Sequence, residues 1–306
     1  MAEQSSIEWT RSTFNPWWGC TKVSPGCDNC YAERDAHRFG TQWGPDAERR
    51  FFGDKHWDEP LKWNKKAAEE QAIDPNAQWR VFCASMADVF DNDVPQAVRE
   101  RLWDLIDATP NLTWLLLTKR IGNVGRMIPD RWSVSLPRNV WLGISVVNQD
   151  EADRDILKLL EIKAYVHWLS IEPLLGPIRV DRLRECEGGQ HRNALTGEAK
   201  GFYTDYTGLR KIAWCVVGGE SGPNARPMHH DWARSLRDQC KAAGVPFLFK
   251  QWGEFAPNRT TGKITNLSTG EIQRMRDGGD MIRVGKKAAG RLLDGVLHDE
   301  YPVVKS

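Results

Sequence analysis

The sequence predicts an α/β fold, a partial or complete parallel β/α barrel, and three observations carry that expectation. Six short runs are continuously apolar and end in polar residues, helix-like stretches lie between several of them, and 306 residues supply enough chain for six or seven such units around a core. The runs are RVFCASMAD (80–88), TWLLLTKR (113–120), NVWLGISVVN (139–148), VHWLSIEP (166–173), AWCVVGGESG (213–222) and PFLFKQWG (246–253). Runs this short and this uniformly apolar suit strands buried on both faces, which means parallel strands joined by right-handed crossovers. A doubly wound open sheet is the alternative that spacing alone permits.

The connecting helices follow from periodicity. Residues 95–108 place Val98, Leu102, Leu105 and Ile106 on one stripe, with Pro95 suited to an early helical position. Residues 149–162 open with acids that favour a helix N-terminus and close on an apolar stripe. Residues 230–244 end on Gly244, a helix stop. Two segments break the rhythm: 181–211, polar and Gly-containing, reads as an insertion or lid, and 256–290 is rich in loop residues. The expected organisation is a barrel-type domain over 1–255, carrying that insertion, and a C-terminal extension over 256–306.

Composition narrows the function. Lys and Arg number 42 against 41 Asp and Glu, so the chain is no strongly cationic nucleic-acid coat, although a local basic cleft remains open to it. The start, MAEQSSIEWT, has no apolar core of signal-peptide length, and no apolar run approaches membrane-spanning length; a soluble, cytoplasmic protein without membrane partners is expected. Fifteen Trp are present, several beside basic residues, as at Trp9, Trp63 and Trp79; they read as core fillers first and as base-stacking platforms second.

In a β/α barrel the carboxyl ends of the strands face one centre. The six runs end in Ser85 and Asp88, Lys119 and Arg120, Ser145 and Asn148, Ser170 and Glu172, Glu220 and Ser221, and Lys250 and Gln251. The paired Gly218 and Gly219 suit close approach by another backbone or by a ligand, without forming a dinucleotide fingerprint.

The segment WWGCTKVSPGCDNCYAE (17–33) sets Cys20, Cys27 and Cys30 within eleven positions of a chain that holds seven cysteines. A reducing compartment disfavours disulfides, and a C-x-x-C redox pair leaves Cys20 unexplained. Zinc on three thiolates, with His37 nearby as a fourth ligand, is one reading. An iron–sulfur cluster is the other: three thiolates on four irons leave one iron for a small molecule such as S-adenosylmethionine.

The stretches FNPWWGCTKVSPGCDNCYAE, SMADVFDNDVP, LLLTKR, VWLGISVVNQ, LSIEPLLGPI, VVGGESGPNARPM, FKQWGEF and GRLLDG occur in order along nearly the whole chain. In these the sequence resembles a phage-associated family of unassigned function known by its three-cysteine motif and related to the radical S-adenosylmethionine superfamily. It departs from the common superfamily spacing, with six residues between Cys20 and Cys27 and Asn29 where an aromatic residue usually precedes the third cysteine.

The resemblance implies a radical-SAM-like barrel whose Cys20, Cys27 and Cys30 ligate a 4Fe–4S cluster in the loop after the first strand. It implies S-adenosylmethionine contacts from Ser85, Asp88, Ser145, Asn148, Ser170, Gly218 and Gly219. Glu172, Glu220 and Lys250 become candidate catalytic residues, and Lys119, Arg120 and Gln251 candidate substrate contacts. The implied activity is radical modification or repair of DNA, RNA or a nucleotide in a bacterial or phage-infected cell, with a flavodoxin or ferredoxin as electron donor. The alternatives are a zinc-dependent hydrolase or nuclease, and a metal-stabilised nucleic-acid-binding module without catalysis.

Overall fold

Each of the six apolar runs forms a strand, and a seventh strand precedes them. The computed structural model describes residues 1–184, 191–200, 205–257, 272–275 and 280–303. The strands are β1 (Ser12–Thr13), β2 (Trp79–Cys83), β3 (Leu112–Thr118), β4 (Val140–Ser145), β5 (Val166–Ile171), β6 (Trp214–Gly218) and β7 (Phe247–Gln251). They form one parallel sheet in chain order, β1 and β7 being its outer members. Every step moves the same way, which is the winding of a β/α barrel; a doubly wound sheet reverses at a switch point. With β1 and β7 unpaired to each other, the barrel is partial.

Every residue of β4, β5 and β6 is buried, which is why these runs carry no polar alternation. The exception to apolar strands is β1, whose Ser12 is buried among partners: its hydroxyl donates to the Glu3 carbonyl at 2.6 Å and accepts from Trp79 Nε1 at 2.8 Å. Two polar residues gave no strand signal of their own.

The chain divides into two compact units, one drawn mainly from Met1–Ile144 and Glu161–His167, the other from Ser145–Leu160 and Trp168–Pro302. In the first, β1 leads through α1 (Tyr31–Arg38) and α2 (Glu59–Ile73) to β2, and α3 (Gln96–Asp107) links β2 to β3. Pro95 caps α3 from outside, and the buried stripe is Leu102, Trp103, Leu105 and Ile106 with Arg99, whose Nε donates to the Val89 carbonyl at 3.0 Å. Trp103 is fully buried, packs against Trp132 with ring centroids 5.0 Å apart and planes tilted by 56°, and donates from Nε1 to the Met127 carbonyl at 3.0 Å. All Trp except Trp18, Trp43 and Trp232 are buried, so Trp9, Trp63 and Trp79 fill the core.

In the second unit α4 (Gln149–Glu161) buries Ala152, Ile156, Leu159 and Leu160. Helix α5 (His230–Ala243) stops at Gly244, whose φ of 65° is left-handed. The described part of the 181–211 insertion is a four-stranded antiparallel sheet of Leu183–Arg184, His191–Asn193, Glu198–Lys200 and Asp205–Tyr206, while 185–190 and 201–204 lie outside the described residues. The loop-rich region contributes Phe255–Pro257, Ile272–Arg274 and Asp280–Arg283 to a three-stranded antiparallel sheet; 258–271 and 276–279 lie outside the described residues.

Both outer strands of the main sheet meet a terminal segment. Ala2 bridges Thr13 of β1 antiparallel, with N–H to carbonyl distances of 3.1 and 2.9 Å, and Asp299 bridges Leu248 of β7. No helix among the described residues is long and apolar enough to cross a membrane.

Trp103→Ala removes the largest buried side chain of α3 and takes a donor from the Met127 carbonyl, so it should lower the unfolding free energy by about 3–5 kcal/mol. Urea titration checks this, with exposed Val134→Ala as a control expected within about 0.5 kcal/mol of wild type.

Candidate functional site

The loop after β1 carries the three cysteines, all reduced and half-buried. Ser24 turns the chain before Cys27, its hydroxyl accepting from Gly26 N at 3.0 Å and its carbonyl from Cys27 N at 2.8 Å. Cys30 sits at the N-cap of α1. Burial pushes its thiol up, and the amides of Glu33 and Ala32 at the start of the helix offset part of that, as does the Lys119 charge. Ala32, Ala36 and Met86 form an apolar wall beside it, with Trp18 and Trp43 packed on the same cluster.

Cys20 is pushed up to about 12, by burial first and then by the Asp88 charge, against the pull of Arg120. Arg120 Nη1 donates to its sulfur at 3.4 Å and to Asp88 Oδ2 at 3.1 Å, while Nη2 donates to the Thr21 carbonyl at 2.7 Å. Asp88 itself is filled: Oδ1 accepts from the Thr118 hydroxyl at 2.8 Å and Phe90 N at 2.9 Å, and Oδ2 from Lys119 N at 3.0 Å. Beneath the loop, Arg49 spends all its donors. Nε reaches Asp91 at 2.9 Å, Nη1 the carbonyls of Gly44 and Ala47 at 3.0 and 2.9 Å, and Nη2 Thr21 Oγ1 and Asp93 at 3.0 and 2.8 Å. Ser85 Oγ accepts from Asn15 Nδ2 at 3.0 Å, and the Ser85 carbonyl from the Tyr31 hydroxyl at 2.9 Å.

A second cluster lies in the other unit, at the ends of β5, β6 and β7. Glu172 Oε1 pairs with Lys250 Nζ at 3.1 Å, and Glu172 Oε2 accepts from the Ser170 hydroxyl at 3.3 Å. A Cβ on Gly218 would stand 2.6 Å from Glu172 Oε1, so the glycine leaves room for the carboxylate. At Gly219 the same atom would lie 2.0 Å from the Trp252 carbonyl, a backbone contact that cannot yield. Gln251 Nε2 donates to the Gly219 carbonyl at 2.9 Å, whereas its Oε1 is buried with no hydrogen-bond partner among the described residues. Glu220 is engaged elsewhere: Arg226 holds it from Nη2 at 2.6 Å, Nε at 2.9 Å and its backbone N at 2.8 Å.

Of the residues expected from sequence, the structure thus brings Asp88 and Arg120 to Cys20, and Ser170, Glu172, Gly218 and Lys250 to one another. Asn148 caps α4, its Oδ1 accepting from Glu151 N at 2.9 Å, while Glu151 Oε2 accepts from Val147 N at 3.0 Å. Ser145 is buried at the end of β4. The basic stretch after β3 is largely answered within the fold: Arg126 donates to Asn92 and Asn123, Arg131 to Asp104 and Asp107, and Arg138 lies over the Tyr165 ring. His37 is exposed on α1. Arg49, Asp91, Asn15 and Thr21 were missed, since nothing in their neighbourhoods tells a polar group with a distant partner from a solvated one.

A family model described as "Protein of unknown function (DUF5131)" matches residues 4–302. The chain belongs to that family. No curated protein sequence matches this DUF5131 chain. Among solved structures, a spore photoproduct lyase variant with bound AdoMet and dinucleoside spore photoproduct is similar at 10% identity and a TM-score of 0.45, over 92% of this chain and 71% of that one. The same lyase complexed with dinucleoside spore photoproduct is similar at 10% identity and 0.42, over 94% and 72%.

Arg49→Ala would leave Asp91 buried without its cation and is expected to cost about 3–5 kcal/mol in chemical denaturation, with Arg49→Lys recovering little because one ammonium cannot serve five acceptors. Asn148→Ala should cost about 1 kcal/mol in the same assay and Asn148→Asp much less, the mark of a helix cap.

Proposed function

We propose that this DUF5131 protein is an iron–sulfur radical S-adenosylmethionine-type enzyme. The observation that carries the reading is the donor set of the β1–α1 loop: three half-buried thiols held beside a guanidinium and a helix N-terminus. Thiolates facing positive charge and amide dipoles suit an anionic cluster. A mononuclear tetrahedral zinc site would instead draw its sulfurs together to about 4 Å, given a Zn–S length near 2.3 Å. Among the described residues the group whose ligand atoms all lie within 4.8 Å of one another is His229, His230 and Asp231, not the thiols. In a 4Fe–4S cluster each of the three thiolates would meet a different iron.

When bound, the cluster and S-adenosylmethionine supply reductive cleavage to methionine and a 5′-deoxyadenosyl radical that abstracts hydrogen from substrate. The chain's own part is holding and protecting. Cys20, Cys27 and Cys30 are the proposed ligands, and the apolar wall of Ala32, Ala36 and Met86 packs against Cys30. Ser85, Ser145, Asn148, Ser170, Gly218 and Gly219 remain the proposed surroundings of the adenosylmethionine, with Asp88 acting through Arg120. Lys250 and Glu172, paired at 3.1 Å, are the proposed proton donor and proton acceptor respectively. Gln251 and Lys119 remain the proposed substrate contacts, Lys119 as a cation. The substrate class we propose is a nucleic acid or nucleotide, on the strength of the sequence resemblance.

Anaerobic reconstitution with iron and sulfide should give a brown protein with about four irons per chain, and Cys20→Ala should lose most of the absorbance. Adding dithionite and S-adenosylmethionine should then release 5′-deoxyadenosine. A colourless protein containing zinc alone would favour a zinc hydrolase. Gel shift on DNA and RNA across a salt series tests the substrate class, no binding at low salt counting against it.

A further inference from the structure

The guanidinium of Arg120 has no fork left for a substrate. Its side chain is 8% exposed, and both terminal nitrogens are committed, Nη1 to Cys20 Sγ and Asp88 Oδ2 and Nη2 to the Thr21 carbonyl, with Asp91 at 3.9 Å. Its anchor cannot swing away either, because Thr118, Phe90 and Lys119 hold the remaining lone pairs of Asp88. Resting on the reading that Cys20 is a cluster ligand, we infer that Arg120 is a positioning residue that raises the reduction potential of the cluster through the Cys20 sulfur.

The reasoning is electrostatic. Adding an electron to an iron–sulfur cluster increases negative charge that the cysteine sulfurs share, and hydrogen bonds to those sulfurs and nearby cations favour the reduced form. Arginine is charged at every working pH, and a charge shielded from water acts more strongly than one on the surface. Here one N–H points at a ligand sulfur, and the fork is fixed from three sides. The Asp88 carboxylate weakens the net charge that the cluster feels but fixes the direction of the N–H. Lysine could supply charge at this position without the planar fork.

The test is a dithionite titration of reconstituted holoprotein followed by electron paramagnetic resonance, each cluster taking up one electron. Arg120→Met should keep its iron, and its ratio of reduced to oxidised cluster at a fixed solution potential should fall at least tenfold, a shift of about 59 mV for one electron. Arg120→Lys should fall in the same direction by a smaller factor. Arg131→Met, which removes an exposed cation paired with Asp104 and Asp107, should match wild type. Full iron in Arg120→Met with an unchanged ratio would overturn the inference and leave the enzyme reading standing. Loss of iron in both Arg120 variants would also overturn it, assigning the residue to loop folding. Failure of wild type to take up a cluster would instead remove the enzyme reading and this inference with it.

Discussion

The cysteine loop depends on buried charge. Arg49 and Asp91 are almost wholly removed from water, and Arg120 and Asp88 nearly so. Isolated charges in such places would cost several kcal/mol each, so they persist because each is answered by an opposite charge and several hydrogen-bond partners. The answer is also what shapes the loop. Residues 19–30 and 44–49 have little regular structure to satisfy their carbonyls, and the two guanidinium forks take over from a sheet or helix, meeting Thr21, Gly44 and Ala47. An irregular segment thereby gains a fixed geometry.

The second cluster is built on space rather than charge. Gly218 sits at a register shift between β6 and β7, and the absence of a side chain there is filled by the Glu172 carboxylate. Gly219 lets the β6 backbone lie against the Trp252 carbonyl. The sequence GGES therefore encodes close packing of one strand end against its neighbours, and the polar groups that surround it, Glu172, Lys250 and Gln251, come from the ends of the two adjacent strands.

Much of the architecture was legible because it rests on local signals. Uniform apolar runs specified β2 to β7, and periodicity with Pro95 and Gly244 bounded α3 and α5. Helix α2 was not foreseen, since its buried side is only Pro60, Trp63 and Ala67, and Trp63 beside two lysines gave no stripe. The site was less legible because partners are distant. Arg49 meets Asp91 across 42 positions, and nothing near either residue announces the pair. Arg120 was read as a substrate contact because a charge in sequence does not show what it faces. Asn148 did carry its own signal: Asn followed three residues later by Glu151, at the head of an apolar stripe, is a capping pattern.

An incomplete barrel leaves two strands with open hydrogen-bonding rows, a template on which other chains can assemble. Here Ala2 and the 298–299 segment each lie along one of those rows. Those contacts answer Thr13 and Phe249 within the chain and leave less of each outer edge open to a neighbour.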